Sequence, residues 1–233
     1  MIKAREEVSK LTVARMAVYH STLKKMLDES EQLCSSSQLG KRTGVASSVI
    51  RRDLASFGGF GTKGVGYEIE YLLSWVSEIL GYNAVWNVVL VGRGIPFTGV
   101  SNYDGLLPPG FTIAAVIDLE KKNHGYKIPG LGLTVNPPGN LANLIKSQAI
   151  SIGLITVPTK EAQKVANFMV KAGIKGIANF SPVSVCVPDG ISLSQINVTS
   201  CLSQLSYNLN NGSAERCAQA QPMNPLSMRW DNN

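Results

Sequence analysis

Trp86-Asn87-Val88-Val89-Leu90-Val91 runs directly into Gly92-Arg93-Gly94, and a second apolar run, Thr112 to Ile117, ends at Asp118, 26 residues after Gly92. A strand, a glycine turn, a crossover and a second strand closed by an acid make the outline of a dinucleotide-binding βαβ unit. Glycine lets backbone N–H groups approach a pyrophosphate, and the acid accepts ribose hydroxyls while repelling a 2′-phosphate. The expected ligand is therefore NAD(H) rather than NADP(H), held by Gly92, Arg93, Gly94, Ile95, Pro96, Phe97 and Asp118. The competing use of Asp118 is to cap the turn after its strand.

The glycine loop departs from G-x-G-x-x-G at the third glycine, where Phe97 stands and where a side chain crowds the packing of helix on strand. Pro96 suits a first helical turn, but Thr98, Gly99, Val100, Ser101 and Asn102 are below-average helix formers, and Gly105, Pro108 and Pro109 interrupt the crossover. The pyrophosphate site is thus expected to be reshaped or lost, with Arg93 able to replace helix-dipole stabilisation by direct charge pairing.

A different unit precedes this one. Apolar residues at Leu11, Val13, Met16, Val18, Leu23, Met26 and Leu27 set a first helix of about residues 12–29. Ser35-Ser36-Ser37 offers a cap for a short second helix through Leu39 to Arg42, which Gly44 ends, and a third helix follows over about 47–57. Helix, glycine-centred turn and helix are the pattern of a helix-turn-helix, whose second member enters the major groove. Phe57-Gly58-Gly59-Phe60-Gly61-Thr62-Lys63-Gly64-Val65-Gly66-Tyr67 then reads as a β-hairpin wing with Lys63 near its tip. Ile69 to Leu80 is helical up to Gly81.

Net charge is +6, and its distribution says more than its total: Lys41, Arg42, Arg51, Arg52 and Lys63 face a single acid, Asp53, between positions 41 and 63. Duplex DNA is the partner this implies. Arg52 is expected on base edges, Arg51, Lys41 and Lys63 on phosphates or beside the wing, and Ser47 or Ser48 on a phosphate at a helix N-terminus. The opposite reading is a solvated basic face.

Composition excludes several classes. At 233 residues, 44% hydrophobic and 16% charged, the chain has the make-up of a globular protein of one large or two ordinary domains, with no apolar run near the roughly 18 residues of a membrane span. Met1 to Glu7 is too charged for a secretory signal, and Cys34, Cys186, Cys201 and Cys217 form no CxxC pair, so a reducing cytoplasm and no zinc site are expected. Cys186 reads as a core residue and Cys34 as a loop cysteine. His20 and His124 read as surface residues, neither beside a nucleophile, so no catalytic set is evident.

Beyond Asp118, Gly125 to Gly132 is a loop or short strand and Leu141 to Lys146 a weak helix. Ala149 to Pro158 is a buried strand, Lys160 to Ala172 a helix, and Gly176 to Phe180 and Val183 to Val187 two further strands. The fold class is α/β: an N-terminal winged helix-turn-helix domain (1–83), a Rossmann-like doubly wound parallel sheet (84–196), a C-terminal helix (197–210) with Leu202, Leu205 and Leu209 on one face, and a loose tail (211–233).

Arg51-Arg52-Asp53-Leu54, Gly61-Thr62-Lys63-Gly64-Val65-Gly66-Tyr67, Leu154-Ile155-Thr156-Val157-Pro158, Ala172 to Pro182 and Leu205-Ser206-Tyr207, in that order and spacing, resemble the Rex redox-sensing transcriptional repressors over about residues 8–210. The resemblance implies a homodimer that binds an inverted-repeat operator and releases it when NADH, but not NAD+, occupies the Rossmann domain. It implies a C-terminal helix exchanged between subunits. It adds Thr156, Val157, Pro158 and Tyr103 to the expected cofactor contacts and matches Arg15 to a switch arginine whose expected acid is replaced here by Asn197, blunting the response. A small NAD-dependent oxidoreductase and a ligand-insensitive repressor are the alternatives.

Overall fold

A computed structural model describes residues 8–58, 61, 65–92 and 107–212. Lys63 and most of the wing, Arg93, Gly94, Ile95, Pro96, Phe97 and Tyr103 of the glycine loop and crossover, Cys217, and the tail from Ser213 lie outside the described residues. The chain divides into two compact units between Gly81 and Tyr82.

In the first unit, α1 (Lys10–Asp28) starts at Ser9, whose hydroxyl accepts from the Thr12 N–H, and buries Met16, Tyr19, His20, Leu23 and Met26. The strand β1 (Leu33–Cys34) follows. Then α2 (Ser36–Thr43) opens with a reciprocal cap in which the Gln38 N–H donates to the Ser35 hydroxyl and the Ser35 N–H to the Gln38 side chain. Gly44 ends it at φ +72, a left-handed conformation that a side chain resists. The next helix, α3 (Ser47–Ala55), buries Ile50, Asp53 and Leu54. The strand β2 (Tyr67–Glu68) pairs antiparallel with β1, and α4 (Ile69–Leu80) packs back on α1. The result is a winged-helix arrangement with one continuous core from Met16 to Val76. Cys34 lies in this core rather than in a loop, 1% exposed, and burial pushes its thiol up to about 11. His20 is buried too, not on the surface, with Nε2 3.0 Å from the Ser77 hydroxyl.

The second unit is a six-stranded parallel sheet in the order β5-β4-β3-β6-β7-β8. Its strands are β3 (Trp86–Val91), β4 (Phe111–Ile117), β5 (Val135–Asn136), β6 (Ile150–Ile155), β7 (Gly176–Asn179) and β8 (Ser192–Gln195). Continuous apolar runs in β3, β4 and β6 are what a strand buried on both faces requires. Between β5 and β6 runs α5 (Leu141–Ser147), and between β6 and β7 runs α6 (Thr159–Ala172). Val89, Val91, Ala115, Ile117 and Ile155 pack on the helices, and Val88, Leu90, Ile113, Val116 and Leu154 form the core of the opposite face.

Val183–Val187 is not a strand. Pro182 and Pro188 flank it, and side chains rather than a ladder satisfy its backbone: Asn179 Nδ2 donates to the Val183 carbonyl, Gln195 Nε2 to that of Val185, and Gln163 bonds both backbone groups of Cys186. The sixth strand is β8 instead. Val185 is buried, and the next residue, Cys186, is exposed rather than a core residue. A last helix, α7 (Val198–Asn210), buries none of its side chains among the described residues.

Candidate DNA-reading face and nucleotide cleft

The face of α3 that is not packed carries the expected DNA contacts. Ile50 and Leu54 anchor the helix, which turns Arg51 and Arg52 outward into solvent. Arg51 Nη1 donates to the Ser36 hydroxyl at 3.1 Å, so its guanidinium leans toward the start of α2, whereas the Arg52 guanidinium makes no hydrogen bond or ion pair among the described residues. Ala46 at the head of α3 has no side chain able to cap, so the first-turn N–H groups beside Ser47 and the exposed Ser48 stay open to an acceptor. Lys41 is exposed in the last turn of α2.

Two charges counted in the sequence do not belong to this face. Arg42 is held between Glu29 and Glu31. Asp53 faces inward, 2% exposed, where Arg15 Nε and Nη2 donate to its two oxygens at 2.6 and 2.7 Å and the Tyr19 hydroxyl donates at 2.8 Å. Burial pushes the Asp53 carboxyl up, but the hydrogen bonds from Arg15 and Tyr19 outweigh it and hold the carboxyl below its ordinary value. Within its own unit Arg15 engages Asp53, and in the second unit the Asn197 side chain accepts the Ser200 N–H and caps α7. Sequence reasoning missed this role of Asp53, although Asp53 shares the inward stripe with Ile50 and Leu54, a position where a lone acid needs a partner.

In the second unit the sheet order reverses between β3 and β6, and a cleft of about 1490 Å³ opens at the carboxyl ends of these strands. That is the place where doubly wound sheets bind ligands, and the volume exceeds the roughly 300–1,000 Å³ of a drug-sized ligand's pocket. Gly92, Asp118, Thr156, Val157 and Pro158 all line it. Gly92 sits at φ +118, and a Cβ there would lie 2.6 Å from the Thr156 carbonyl oxygen, so only glycine brings the end of β3 this close to β6. The Gly92 N–H donates to the Ile117 carbonyl and the Thr156 N–H to that of Val91, which ties the three strand ends together. Pro158 begins α6 without a side-chain cap, leaving a positive helix end at the cleft, with Lys160 and Lys164 beside it.

Asp118 is used as a turn anchor and still faces the cleft. Its Oδ1 accepts the Glu120 N–H at 2.8 Å, its Oδ2 accepts Asn123 Nδ2 at 2.6 Å, and His124 Nε2 lies 2.9 Å from its carbonyl oxygen. Each carboxylate oxygen keeps acceptor capacity for a ribose hydroxyl. The described residues thus fit a dinucleotide at the glycine turn, the acid and the β6 end. Among them there is no group of three or more His, Cys, Asp or Glu that could hold a metal, and no helix long and apolar enough to cross a membrane.

Fold and cleft define the class: a winged-helix unit joined to a Rossmann-like nucleotide-type domain. The family models agree in order, with "Putative DNA-binding protein N-terminus" matching residues 7–55 and "CoA binding domain" residues 83–183. The redox-sensing transcriptional repressor Rex of Syntrophobacter fumaroxidans is 38% identical over 202 residues, 87% of this chain and 96% of that one. That of Clostridioides difficile is 38% identical over 207 residues, 89% and 98% of the two chains. Among solved structures, the Rex-family repressor RSP in complex with β-NAD+ and operator DNA superposes with a TM-score of 0.81 at 33% identity, covering 89% of this chain and 95% of that one. RSP with β-NADH superposes at 0.77 with 31% identity, covering 89% and 97%. The chain belongs to the Rex family of redox-sensing transcriptional repressors, and is a regulator rather than an enzyme.

Proposed function

We propose that the chain, as a cytoplasmic homodimer, holds an inverted-repeat duplex operator through paired α3 helices and releases it when NADH enters the cleft at Gly92 and Asp118. Arg52 reads base edges. Arg51, Lys41, Lys63 and the open first turn of α3 at Ser47 and Ser48 take phosphates. Asp118 takes the ribose diol and Thr156, Val157 and Pro158 floor the nicotinamide end, with Arg93, Gly94, Ile95, Pro96, Phe97 and Tyr103 completing the site. Exchange of α7, a helix that buries no side chain among the described residues, between two copies makes the dimer. The observation that carries this reading is the outward pair Arg51 and Arg52 on a helix whose other face is locked into a core.

The test is a mobility-shift titration on a palindromic duplex at physiological ionic strength, with and without NADH. Preference over random DNA that NADH abolishes supports the reading; no preference with or without NADH refutes it. Turnover of NADH with a hydroxy acid would point instead to an oxidoreductase, and operator binding that NADH leaves unchanged to a ligand-insensitive repressor.

A further inference from the structure

We propose that Asp53 is a positioning residue for DNA recognition: clamped by Arg15, Tyr19 and Thr12 of α1, it fixes the rotation of α3 and so aims Arg51 and Arg52 from residues that never touch DNA. The inference rests on the DNA-binding reading above.

An acid next to two DNA-reading arginines is out of place unless it serves something else, since it opposes a polyanion. Here it points away from solvent. Four donors converge on it: Arg15 Nε at 2.6 Å and Tyr19 Oη at 2.8 Å on Oδ2, Arg15 Nη2 at 2.7 Å on Oδ1, and Thr12 Oγ1 at a long 3.4 Å on Oδ1. Arg15 Nη2 also donates to Thr12 Oγ1 at 3.2 Å, which orients the fork from its own helix.

Apolar contacts from Ile50 and Leu54 hold α3 against the core but are non-directional, and a helix can roll on them. A bidentate guanidinium–carboxylate pair cannot roll without breaking two short bonds. The geometry makes small rotations matter: a side-chain tip roughly 6 Å from the helix axis moves about 2 Å for a turn of about 20°, enough to break a bidentate contact to a base. Arg51 and Arg52 directly precede Asp53, so its fixed carboxylate sets their direction. The pair stays ionised as DNA arrives, because its hydrogen bonds to Asp53 raise the Arg15 guanidinium above its ordinary value while Arg15 and Tyr19 hold the carboxyl down. Buried ion pairs contribute little net stability compared with apolar replacements, and their best-attested use is to fix a register. That predicts a separation between folding and discrimination.

The experiment compares wild type with R15M/Y19F/D53V, which removes the buried polar groups and leaves only the partly exposed Thr12 hydroxyl, still bonded to Ser9, and with R15K, which keeps the charge but loses the fork. Thermal midpoint, affinity for a palindromic operator, affinity for random duplex and the salt slope are measured for each. The triple variant is expected to fold, to bind random DNA with an unchanged salt slope, and to lose about tenfold or more of its operator discrimination. R15K is expected to lose discrimination by a smaller factor with its midpoint unmoved, and it decides the matter if the triple variant does not fold. Discrimination within about twofold of wild type in a folded variant overturns the proposal. A wild type that does not distinguish operator from random DNA overturns it too, but by removing the DNA-binding reading beneath it.

Discussion

Asn123 donates its side-chain amide to Asp118 Oδ2 at 2.6 Å, and the Glu120 N–H takes Oδ1 at 2.8 Å, so the plane of the acid at the mouth of the cleft is fixed before a ligand arrives. A hydrogen bond to a charged group contributes about 1.5–3 kcal/mol, and a pre-set carboxylate loses no entropy in forming it. Asp118→Asn is therefore expected to weaken NADH binding by roughly tenfold to a hundredfold and to narrow its advantage over NADPH. Asn123→Leu is expected to do the same more weakly. Isothermal titration with both dinucleotides checks it, and an unchanged NADH:NADPH ratio in both variants would remove Asp118 from the ribose site.

Gly92 lines the cleft where the end of β3 comes closest to Thr156, at the end of β6. A methyl there meets the Thr156 carbonyl oxygen at 2.6 Å and carbon at 2.7 Å, both backbone atoms, at a φ that disfavours any side chain. Gly92→Ala is expected to cost about 1–3 kcal/mol through strain alone and to push the ends of β3 and β6 apart. The readouts are a thermal midpoint lowered by several degrees and a loss of NADH heat larger than that destabilisation explains.

The two arginines of α3 predict different losses. Arg52→Ala is expected to cost about 1–3 kcal/mol on the operator and to relax specificity at one base position, with little change on random DNA. Arg51→Ala, whose side chain leans on Ser36, is expected to weaken both duplexes alike and to lower the salt slope by about 1. Binding isotherms at several salt concentrations separate the two patterns, and the same pattern from both variants would contradict the assignment of roles.

What could be read from the chain was local or continuous. The Ser35/Gln38 cap and the Gly44 stop are decided within one turn, and buried parallel strands such as Trp86–Val91 announce themselves as unbroken apolar runs. What could not be read depends on distant partners or on edges. The strand β1 is two residues long and exists because Tyr67–Glu68 lies beside it, which is why Cys34 reads as a loop residue. The edge strand Ser192–Gln195 is mostly polar and exposed, while Val183–Val187 alternates as a strand should but lies between prolines. Arg15 and Asp53 are 38 residues apart, and no local pattern joins them.

His20 gives the first unit a pH dependence. Burial, then the nearby charge of Lys24, lowers its pKa in the folded state. Unfolded, the imidazole takes a proton at about pH 6.5. Because the folded value is the lower one, the stability linked to His20 is complete above about pH 6.5 and is lost as pH falls toward the folded pKa. Asp53 acts in the same direction but only below about pH 4, outside the range of this test. The thermal midpoint is expected to fall between pH 7.5 and 5.5, and His20→Leu to flatten that slope. An equal slope in the variant would place the titrating group elsewhere.

Among the described residues nothing buries the apolar side chains of the last helix. Val198, Leu202, Leu205 and Leu209 follow at helical spacing along α7 and are 57–78% exposed, with Tyr207 at 65%. A 13-residue helix is marginal in water by itself and gains its stability from what covers it. Covering one leucine contributes about 1.5–3 kcal/mol, and in a twofold exchange every such contact is made twice, so four side chains suffice for a firm dimer. Leu202→Asp/Leu205→Asp is expected to give a monomer by sedimentation, with both compact units still folded by circular dichroism. Operator affinity should drop steeply, since each half-site then binds alone, whereas binding of NADH to the cleft should persist because its described lining comes from one chain. A variant that remains dimeric would show that another surface joins the copies.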